Sequence, residues 1–196
     1  PVLYRKMSKE NYDIIVVGGG HAGAEAAHAA ARMGARTLLI SMNLDVVGKM
    51  SCNPAIGGIG KGQIAREIDA LGGLMGVVTD AAGIQFRMLN RRKGPAMWSP
   101  RAQCDRMLYA SRVREALDNT PGLHMRSDMV TSLICEGGSI RGVRTQLVEE
   151  IRARCVVLTN GTFLNGVVHV GQQRVGGGRL GDRSGAERTC SWPEPA

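Results

Sequence analysis

Residues 13–41 read DIIVVGGGHAGAEAAHAAARMGARTLLIS, a stretch in which two apolar runs flank a glycine turn and an alanine-rich segment. The first run, 13–17, is continuous and apolar after its leading aspartate, which is typical of a parallel strand buried on both faces. The alanines between His21 and Met33 favour a helix that packs closely on a sheet, and Gly34 ends it. A second buried strand follows at 37–40. The stretch therefore predicts a right-handed βαβ unit.

The glycines of the turn have the spacing of a dinucleotide-binding site in a Rossmann-like α/β fold. Gly18, Gly20 and Gly23 form the pattern G-x-G-x-x-G between a strand and a helix, and this context makes the pattern specific. Gly18 permits the tight turn, Gly20 leaves room for a pyrophosphate, and Gly23 lets the helix approach the strand. The N–H groups at the positive helix end favour phosphates. The alternative is that the glycines shape the turn without binding a ligand.

The acidic residue that usually contacts the adenosine ribose is missing after the second strand. Its position is occupied by Ser41, Met42 and Asn43, and Asp45 lies just beyond. The ribose could be contacted by Asn43, by Asp45 or by the backbone.

The composition is that of a globular domain with one strongly basic segment. Of 196 residues, 43% are hydrophobic and 21% are charged. No apolar run approaches the ~20 residues of a membrane span, and residues 1–11 contain no signal-peptide core, so we expect a cytoplasmic protein without membrane contact. The formal net charge is +8, and residues 85–114 hold eight cations against Asp105 alone, a local charge of +7. A polyanionic partner and a solvated cationic surface are both compatible with this segment.

The cysteines and histidines are dispersed along the chain. Five cysteines and four histidines form no C-x-x-C or H-x-x-x-H pattern, so we predict thiols and no protein-held metal. Cys104, Cys135 and Cys155 have apolar neighbours in predicted helices or strands, which favours packing in the core.

The sequence outside residues 13–41 has less regular patterns of apolar and polar residues. Five glycines and Pro54 predict a loop at 48–62. Ser99 followed by Pro100 predicts the start of a helix that runs to about Asp118. The other predicted elements are a helix at 61–71, strands at 84–89, 129–135, 140–145 and 155–158, and a hairpin turn at Gly137 and Gly138.

Five further motifs resemble one family of flavoproteins. They are SCNPAIGGIGKG at 51–62, DALGGLM at 69–75, GIQFRMLN at 83–90, KGPA at 93–96 and RAQ at 101–103. In this order they are similar to the MnmG/GidA family of tRNA uridine-modifying flavoproteins, over about residues 12–181. NGTFL at 160–164 also fits. After Asp182 the resemblance stops, and family members are much longer, so we expect a chain that is incomplete relative to the family.

The resemblance implies an FAD-binding Rossmann-like domain with an inserted segment. Its implied parts are 12–50 (first part of the FAD domain), 51–120 (inserted glycine-rich, helical and basic segment), 121–182 (remainder of the FAD domain) and 183–196 (unmatched tail). By the same resemblance Val130 would offer its backbone to the adenine. The FAD pyrophosphate would be held by Gly18, Gly19, Gly20, His21, Ala22 and Gly23.

The activity implied by the resemblance is tRNA modification. With a partner GTPase of the MnmE type, in a heterotetramer, family members add an aminomethyl or carboxymethylaminomethyl group to C5 of the wobble uridine. NADH and methylene-tetrahydrofolate are the co-substrates, and the resemblance also implies a homodimer.

Cys52 is the candidate catalytic residue. Uracil C5 is a poor nucleophile, and a thiolate that adds to C6 makes C5 reactive. Cys52 precedes a predicted helix start and lies near Lys61 in sequence, and both a helix N-terminus and a cation lower the pKa of a thiol. A structural cysteine in a tight loop is the alternative.

The basic segment allows two interpretations. Phosphate-binding cations surround Trp98, which could stack on a base. Alternatively Trp98 anchors a loop in the core and the cations face water. The cations are Arg87, Arg91, Arg92, Lys93 and Arg101.

Two rival functions remain. A folate- and FAD-dependent tRNA uridine C5 methyltransferase typically has an acid after the second strand and a different cysteine loop, which Ser41 and the CNPA of 52–55 do not match. A catalytically inactive FAD-binding module is the other rival.

Overall fold

The structure is a computed structural model that describes residues 11–51, 53–147, 149–161 and 167–176. Cys52 and the tail 183–196 lie outside these residues. The described helices are α1 (His21–Arg32), α2 (Lys61–Ala70), α3 (Leu74–Ala82) and α4 (Arg106–Asp118). The described strands are β1 (Tyr12–Val17), β2 (Thr37–Ser41), β3 (Ala55–Gly57), β4 (Gly83–Leu89), β5 (Ser99–Cys104), β6 (Leu123–Ser127), β7 (Val130–Glu136), β8 (Ser139–Thr145), β9 (Glu150–Leu158), β10 (Val167–Val170) and β11 (Gln173–Gly176).

The main sheet has six strands in the order β6-β2-β1-β9-β8-β7. The four strands β6, β2, β1 and β9 are parallel, whereas β7, β8 and the start of β9 form an antiparallel meander. The predicted α/β fold and its first βαβ unit are therefore confirmed. The predicted hairpin turn at Gly137 and Gly138 joins β7 to β8, and both glycines have positive φ, as such turns require.

The core lies on both faces of the main sheet. On one face α1 packs through small residues such as Ala27, which is fully buried with Val16 and Leu39. On the other face the meander covers Ile15 with Val143. Burying a large aliphatic side chain stabilises the fold by roughly 1.5–3 kcal/mol, so these two layers fix the central strands.

A second sheet, in the order β3-β5-β4, packs against α2 and α3. Its strand β5 contradicts the helix predicted to start at Ser99. Pro100 is tolerated because β3 pairs only with Arg101–Gln103 of β5, which leaves the proline beyond the end of β3. Helix α4 begins instead at Arg106, and Asp105 caps it by accepting from the N–H groups of Met107 and Leu108, both at 2.9 Å. The loop predicted at 48–62 is also partly wrong, because strand β3 (Ala55–Gly57) lies within it.

Two cysteines contradict the prediction of core packing. Cys104 is buried, but Cys135 and Cys155 are exposed. Cys135 lies near the hairpin turn, two residues before Gly137. Cys155 pairs with Ile14 of β1, and at this point β9 has no partner strand on its other edge among the described residues.

None of the helices in the described part of the chain is long and apolar enough to cross a membrane. In the same residues, no group of three or more His, Cys, Asp or Glu side chains could hold a metal ion.

Glu25 connects helix α1 to helix α3. Its carboxylate, on α1, accepts from the N–H groups of Leu74 and Met75 at 3.0 and 2.6 Å, and so caps the first turn of α3. Gly73, the N-cap residue, offers no side chain for this purpose. The helix that follows the glycine turn thereby also positions α3.

We expect Glu25→Ala to destabilise the fold by about 1–2 kcal/mol, because two N–H groups at a helix start lose their acceptor. Urea unfolding measures this change. Glu115→Ala is the matched control, because the Glu115 side chain forms an exposed ion pair with Arg112 and such pairs contribute little. Equal effects of the two substitutions would contradict the capping role.

Candidate functional site

The turn after β1 is held by close backbone contacts. Gly18 has φ +107, and a Cβ on it would lie 2.4 Å from the carbonyl oxygen of Thr159. Its N–H donates to the carbonyl of Ile40 at 2.8 Å. A side chain on Gly23 would be more disruptive, because its Cβ would lie 1.8 Å from the oxygen of Gly18. Only glycine fits at either position.

Gly20 differs from its neighbours in the turn. A Cβ added to Gly20 would meet no atom of the described residues within 4 Å, and its φ of −73 suits any residue. Gly19 has no such space, since its Cβ would lie 2.8 Å from Val47 and 2.9 Å from the Ser41 hydroxyl. The open side of Gly20 is therefore space that the described part of the chain does not fill. A pyrophosphate needs such an approach to the backbone.

The start of α1 has the features that favour an anion. Gly20 is its N-cap residue and offers no side-chain cap, and the first turn contains no acidic residue. The N–H groups at such an end point outward with the positive pole of the helix. The exposed Ala22 adds no bulk there.

His21 brings a neutral imidazole to this end. Burial, and to a smaller extent the Lys61 ammonium, lower the pKa of His21 from 6.5 to about 4. The ring packs edge-to-face on Tyr109, with 5.5 Å between centroids. Its Nδ1 is buried and has no hydrogen-bond partner within the described residues. A buried polar nitrogen beside an open cradle fits a ligand that completes its hydrogen bonding.

Thr159 contacts the glycine turn, and the sequence patterns did not reveal this contact. Its hydroxyl lies 2.8 Å from the carbonyl oxygen of Val17 and 3.0 Å from that of Gly18. Thr159 follows β9, which pairs in parallel with β1, so it supports the glycine turn from the neighbouring strand. The only local signal was its place just before the NGTFL motif.

Val130 lies at the start of β7 and packs against the hydrophobic cluster that includes Ile15 and Ile40. The preceding segment is tied to the carboxyl end of β2, because the N–H of Asp128 donates to the carbonyl of Ser41 at 3.0 Å. Arg126 lies 3.1 Å from the Asp128 carboxylate and also pairs with Glu149. Ser41 in turn is next to Gly19, so Val130 and the turn share one edge of the sheet.

Of the residues considered for the contact with the ribose, Asn43 already has a hydrogen-bond partner within the chain. The Asn43 side-chain oxygen accepts from the N–H of Asp45 at 2.8 Å and caps the short helical turn Leu44–Val46. The exposed Asp45 carboxylate has no such bond among those described.

The loop that contains Cys52 begins beside the glycine turn. The N–H of Gly48 donates to the carbonyl of Gly19 at 2.8 Å. Met50 is buried, whereas Ser51 and Asn53 on either side of Cys52 are exposed. Farther along, Lys61 at the start of α2 is close enough to influence His21. Both ends of the segment 48–61 are therefore near the turn.

The predicted basic segment is divided in the structure. Arg112 and Arg114 on α4 pair with Glu115 and Asp118, both at 2.8 Å. Trp98 is 43% exposed, which contradicts its interpretation as a core anchor. Arg87 and Arg101 line a cavity of about 420 Å³ between α2, α3 and the second sheet, and none of the predicted FAD-binding residues belongs to its lining.

Comparison with known proteins decides the family. Residues 13–190 match the family model described as Glucose inhibited division protein A, GIDA. The chain belongs to the GidA family. The GidA relative named tRNA uridine 5-carboxymethylaminomethyl modification enzyme MnmG from Salinibacter ruber is 65% identical over 173 residues, which is 87% of this chain and 26% of the relative. The enzyme of the same name from Flavobacterium johnsoniae is 60% identical over 176 residues, 90% of this chain and 28% of the relative.

A solved GidA structure has the same fold. The structure of Aquifex aeolicus GidA superposes with a TM-score of 0.87 at 50% identity, covering 91% of this chain and 30% of that chain. This chain thus spans between about a quarter and a third of the length of these GidA proteins.

We expect the stability of the fold to fall as the pH drops from 6.5 towards 4, in part through His21. Its pKa is lower in the folded state, so its contribution is fully present above pH 6.5 and is lost as the unfolded chain takes up the proton. His21→Gln should reduce this loss. The measurement is urea unfolding above pH 7 and near pH 5, and His169→Gln, which replaces an exposed histidine, is the control. The same pH dependence in wild type and His21→Gln would contradict the assignment.

Proposed function

We propose that the chain binds FAD at the Gly18–Gly23 turn. The observation that carries the proposal is the open cradle at Gly20 at the uncapped start of α1, beside the unpartnered Nδ1 of His21. Backbone N–H groups from Gly19 to Gly23 would hold the pyrophosphate. The backbone of Val130 would contact the adenine. The domain division into 12–50, 51–120, 121–182 and 183–196 is part of this proposal.

Gly20→Val should abolish flavin binding and leave the fold intact, because its side chain would fill the phosphate cradle without touching protein. Flavin absorbance of the purified chain and its thermal unfolding measure the two effects. Gly23→Ala is the contrasting variant: its methyl would collide with Gly18, so we expect loss of stability as well as of flavin. Flavin retention by Gly20→Val would contradict the site.

We infer further that the protein is part of an enzyme that modifies tRNA. The support is membership of GidA and the 65% identity to the relative whose name gives a tRNA uridine 5-carboxymethylaminomethyl modification. The proposed reaction adds a (carboxymethyl)aminomethyl group at C5 of the wobble uridine, with NADH and methylene-tetrahydrofolate as co-substrates. The proposed partners are an MnmE-type GTPase in a heterotetramer and a second copy of the chain, in the cytoplasm. Bound FAD would supply the redox chemistry.

We propose that Cys52 acts on the uracil ring. Its thiolate would add to C6, forming the C6–S bond and moving the π electrons to C5 and O4. C5 could then attack the methylene carbon of an iminium ion formed from methylene-tetrahydrofolate, and the π electrons of the C=N bond would move to its nitrogen. Loss of the C5 proton and departure of the thiolate would restore the double bond. The hydrogen bond from Gly48 to Gly19 supports this proposal, because Gly48 lies four residues before Cys52 and next to the turn proposed to hold FAD.

The test of this activity requires a full-length protein. In a chimera, residues 13–176 of this chain replace the matching segment of the Salinibacter ruber relative, and modified uridine is measured in tRNA by mass spectrometry. We expect the chimera to be active and Cys52→Ser to be inactive with normal flavin content and stability. Cys135→Ser, which changes an exposed thiol on β7, is the control and should remain active.

Three outcomes would count against the proposal. A folded chimera that yields no modified uridine, beside an active parent, would contradict the function. Normal yield from Cys52→Ser would remove Cys52 from the mechanism. Loss of flavin or of folding in Cys52→Ser would assign it a structural role.

A further inference from the structure

The hairpin of β4 and β5, residues 83–104, is cationic and lacks acidic residues. Its five cations form no ion pair with any acid among the described residues. In contrast, several arginines elsewhere have carboxylate partners, as Arg144 has in Glu150 at 2.7 Å and Arg152 has in Glu136 at 2.6 Å. The hairpin cations are Arg87, Arg91, Arg92, Lys93 and Arg101. The positive charge of the hairpin is therefore not neutralised by contacts within the described chain.

Two of these cations lie directly opposite each other. Arg87 of β4 and Arg101 of β5 are register partners in the antiparallel ladder. Like charges at directly opposite positions destabilise a sheet. A bound anion between the two guanidinium groups would remove this repulsion, because each group can donate two hydrogen bonds to a phosphate.

The cavity gives these arginines a concave surface. Both line its hairpin side together with the apolar Phe86 and Met88, and Phe86 is 59% exposed. Asp69 of α2 and Asp80 of α3 line the helical side and form no ion pair with the arginines. These carboxylates would repel an anion from the depth of the cavity. An anion is therefore favoured at its rim, next to the hairpin.

The loop of the hairpin presents a second aromatic ring. The indole N–H of Trp98 donates to the carbonyl of Arg91 at 3.2 Å, which fixes one edge of the ring, and the side chain is 43% exposed. Arg91–Lys93 form a short helical turn beside it, and all three residues are exposed. Arg91 follows the end of β4 at Leu89 after Asn90, whose positive φ of 59 turns the chain out of the strand.

We propose that the hairpin 83–104 binds single-stranded RNA. Arg87 and Arg101 hold one phosphate, Phe86 and Trp98 stack on unpaired bases, and Arg91–Lys93 contact neighbouring phosphates. The combination of separate cations with two exposed aromatic rings fits a strand with accessible bases better than a simple polyanion. The inference rests on the proposed function, in which the substrate is a tRNA, and assigns the surface that holds the unpaired nucleotides.

The first test compares two RNAs, a stem with an unpaired loop and a blunt duplex of the same length, on the purified chain. We expect the looped RNA to bind more tightly. Arg87→Gln and Arg101→Gln should each weaken its binding about tenfold and lower the salt dependence of log K by about one. Their melting temperatures should stay equal to that of wild type or rise, since each removes one of the opposed charges. Arg144→Gln is the control and should bind as wild type does.

The second test examines stacking. The chain has two tryptophans, so Trp192→Phe makes fluorescence report on Trp98 alone. Looped RNA should quench it, and the duplex should not. Trp98→Leu should reduce the preference for the looped RNA, and Trp98→Phe should keep part of that preference.

Several results would overturn the inference. These are wild-type affinity in Arg87→Gln and Arg101→Gln, lowered melting temperatures in both, equal affinity of the chain for looped RNA, duplex and heparin, or no binding of looped RNA. Failure of the proposed function is seen separately, as missing modified uridine in the chimera. A chimera that modifies tRNA equally well with and without Arg87 and Trp98 would refute RNA binding by the hairpin and leave the proposed function intact.

Discussion

The approach of three backbone segments at Gly18 is the constraint on which the site depends. The end of β1, the first turn of α1 and Thr159 after β9 come together there without any side chain on Gly18 or Gly23. This contact sets the direction of α1 and leaves the side of Gly20 open. Because Glu25 on the same helix caps α3, the glycine turn also determines where α3 begins.

Local patterns were sufficient for the elements whose signals lie within a few residues. The βαβ unit and the hairpin turn at Gly137 were predicted because glycine positions and apolar runs coincide there. The helix start at Ser99 was wrong because two local signals competed. Ser-Pro favours a helix start, but Ser99 is fully buried and pairs with Leu89, so the ladder with β4 prevailed and Asp105 took the cap. Helix α3 was missed because its cap comes from a distant carboxylate.

The candidate site was predictable to the extent that it is built from the turn itself. The spacing predicted a turn in which Gly18 and Gly23 allow close backbone contacts and Gly20 leaves room for a ligand, and the described residues have this geometry. FAD binding by Gly18–Gly23 remains a prediction. Thr159 was missed because its contact with Gly18 is visible only once β1 and β9 pair. The exposure of Cys155 was mispredicted for a related reason: apolar sequence neighbours do not tell which edge of a strand stays uncovered. Cys52 and Val130 remain predictions.

The pairing of β1 with β9 has a consequence for the order of events during protein synthesis. Thr159 lies 141 residues after Gly18. The glycine turn therefore emerges from the ribosome long before its support exists, and contacts of such large sequence separation form late. The nascent chain can form α1 and the β4–β5 hairpin locally, but its nucleotide cradle stays unsupported until β9 has been translated. Capture of the proposed FAD would then be a late step of biogenesis, and a ribosome stalled before residue 159 would carry a chain with little affinity for FAD.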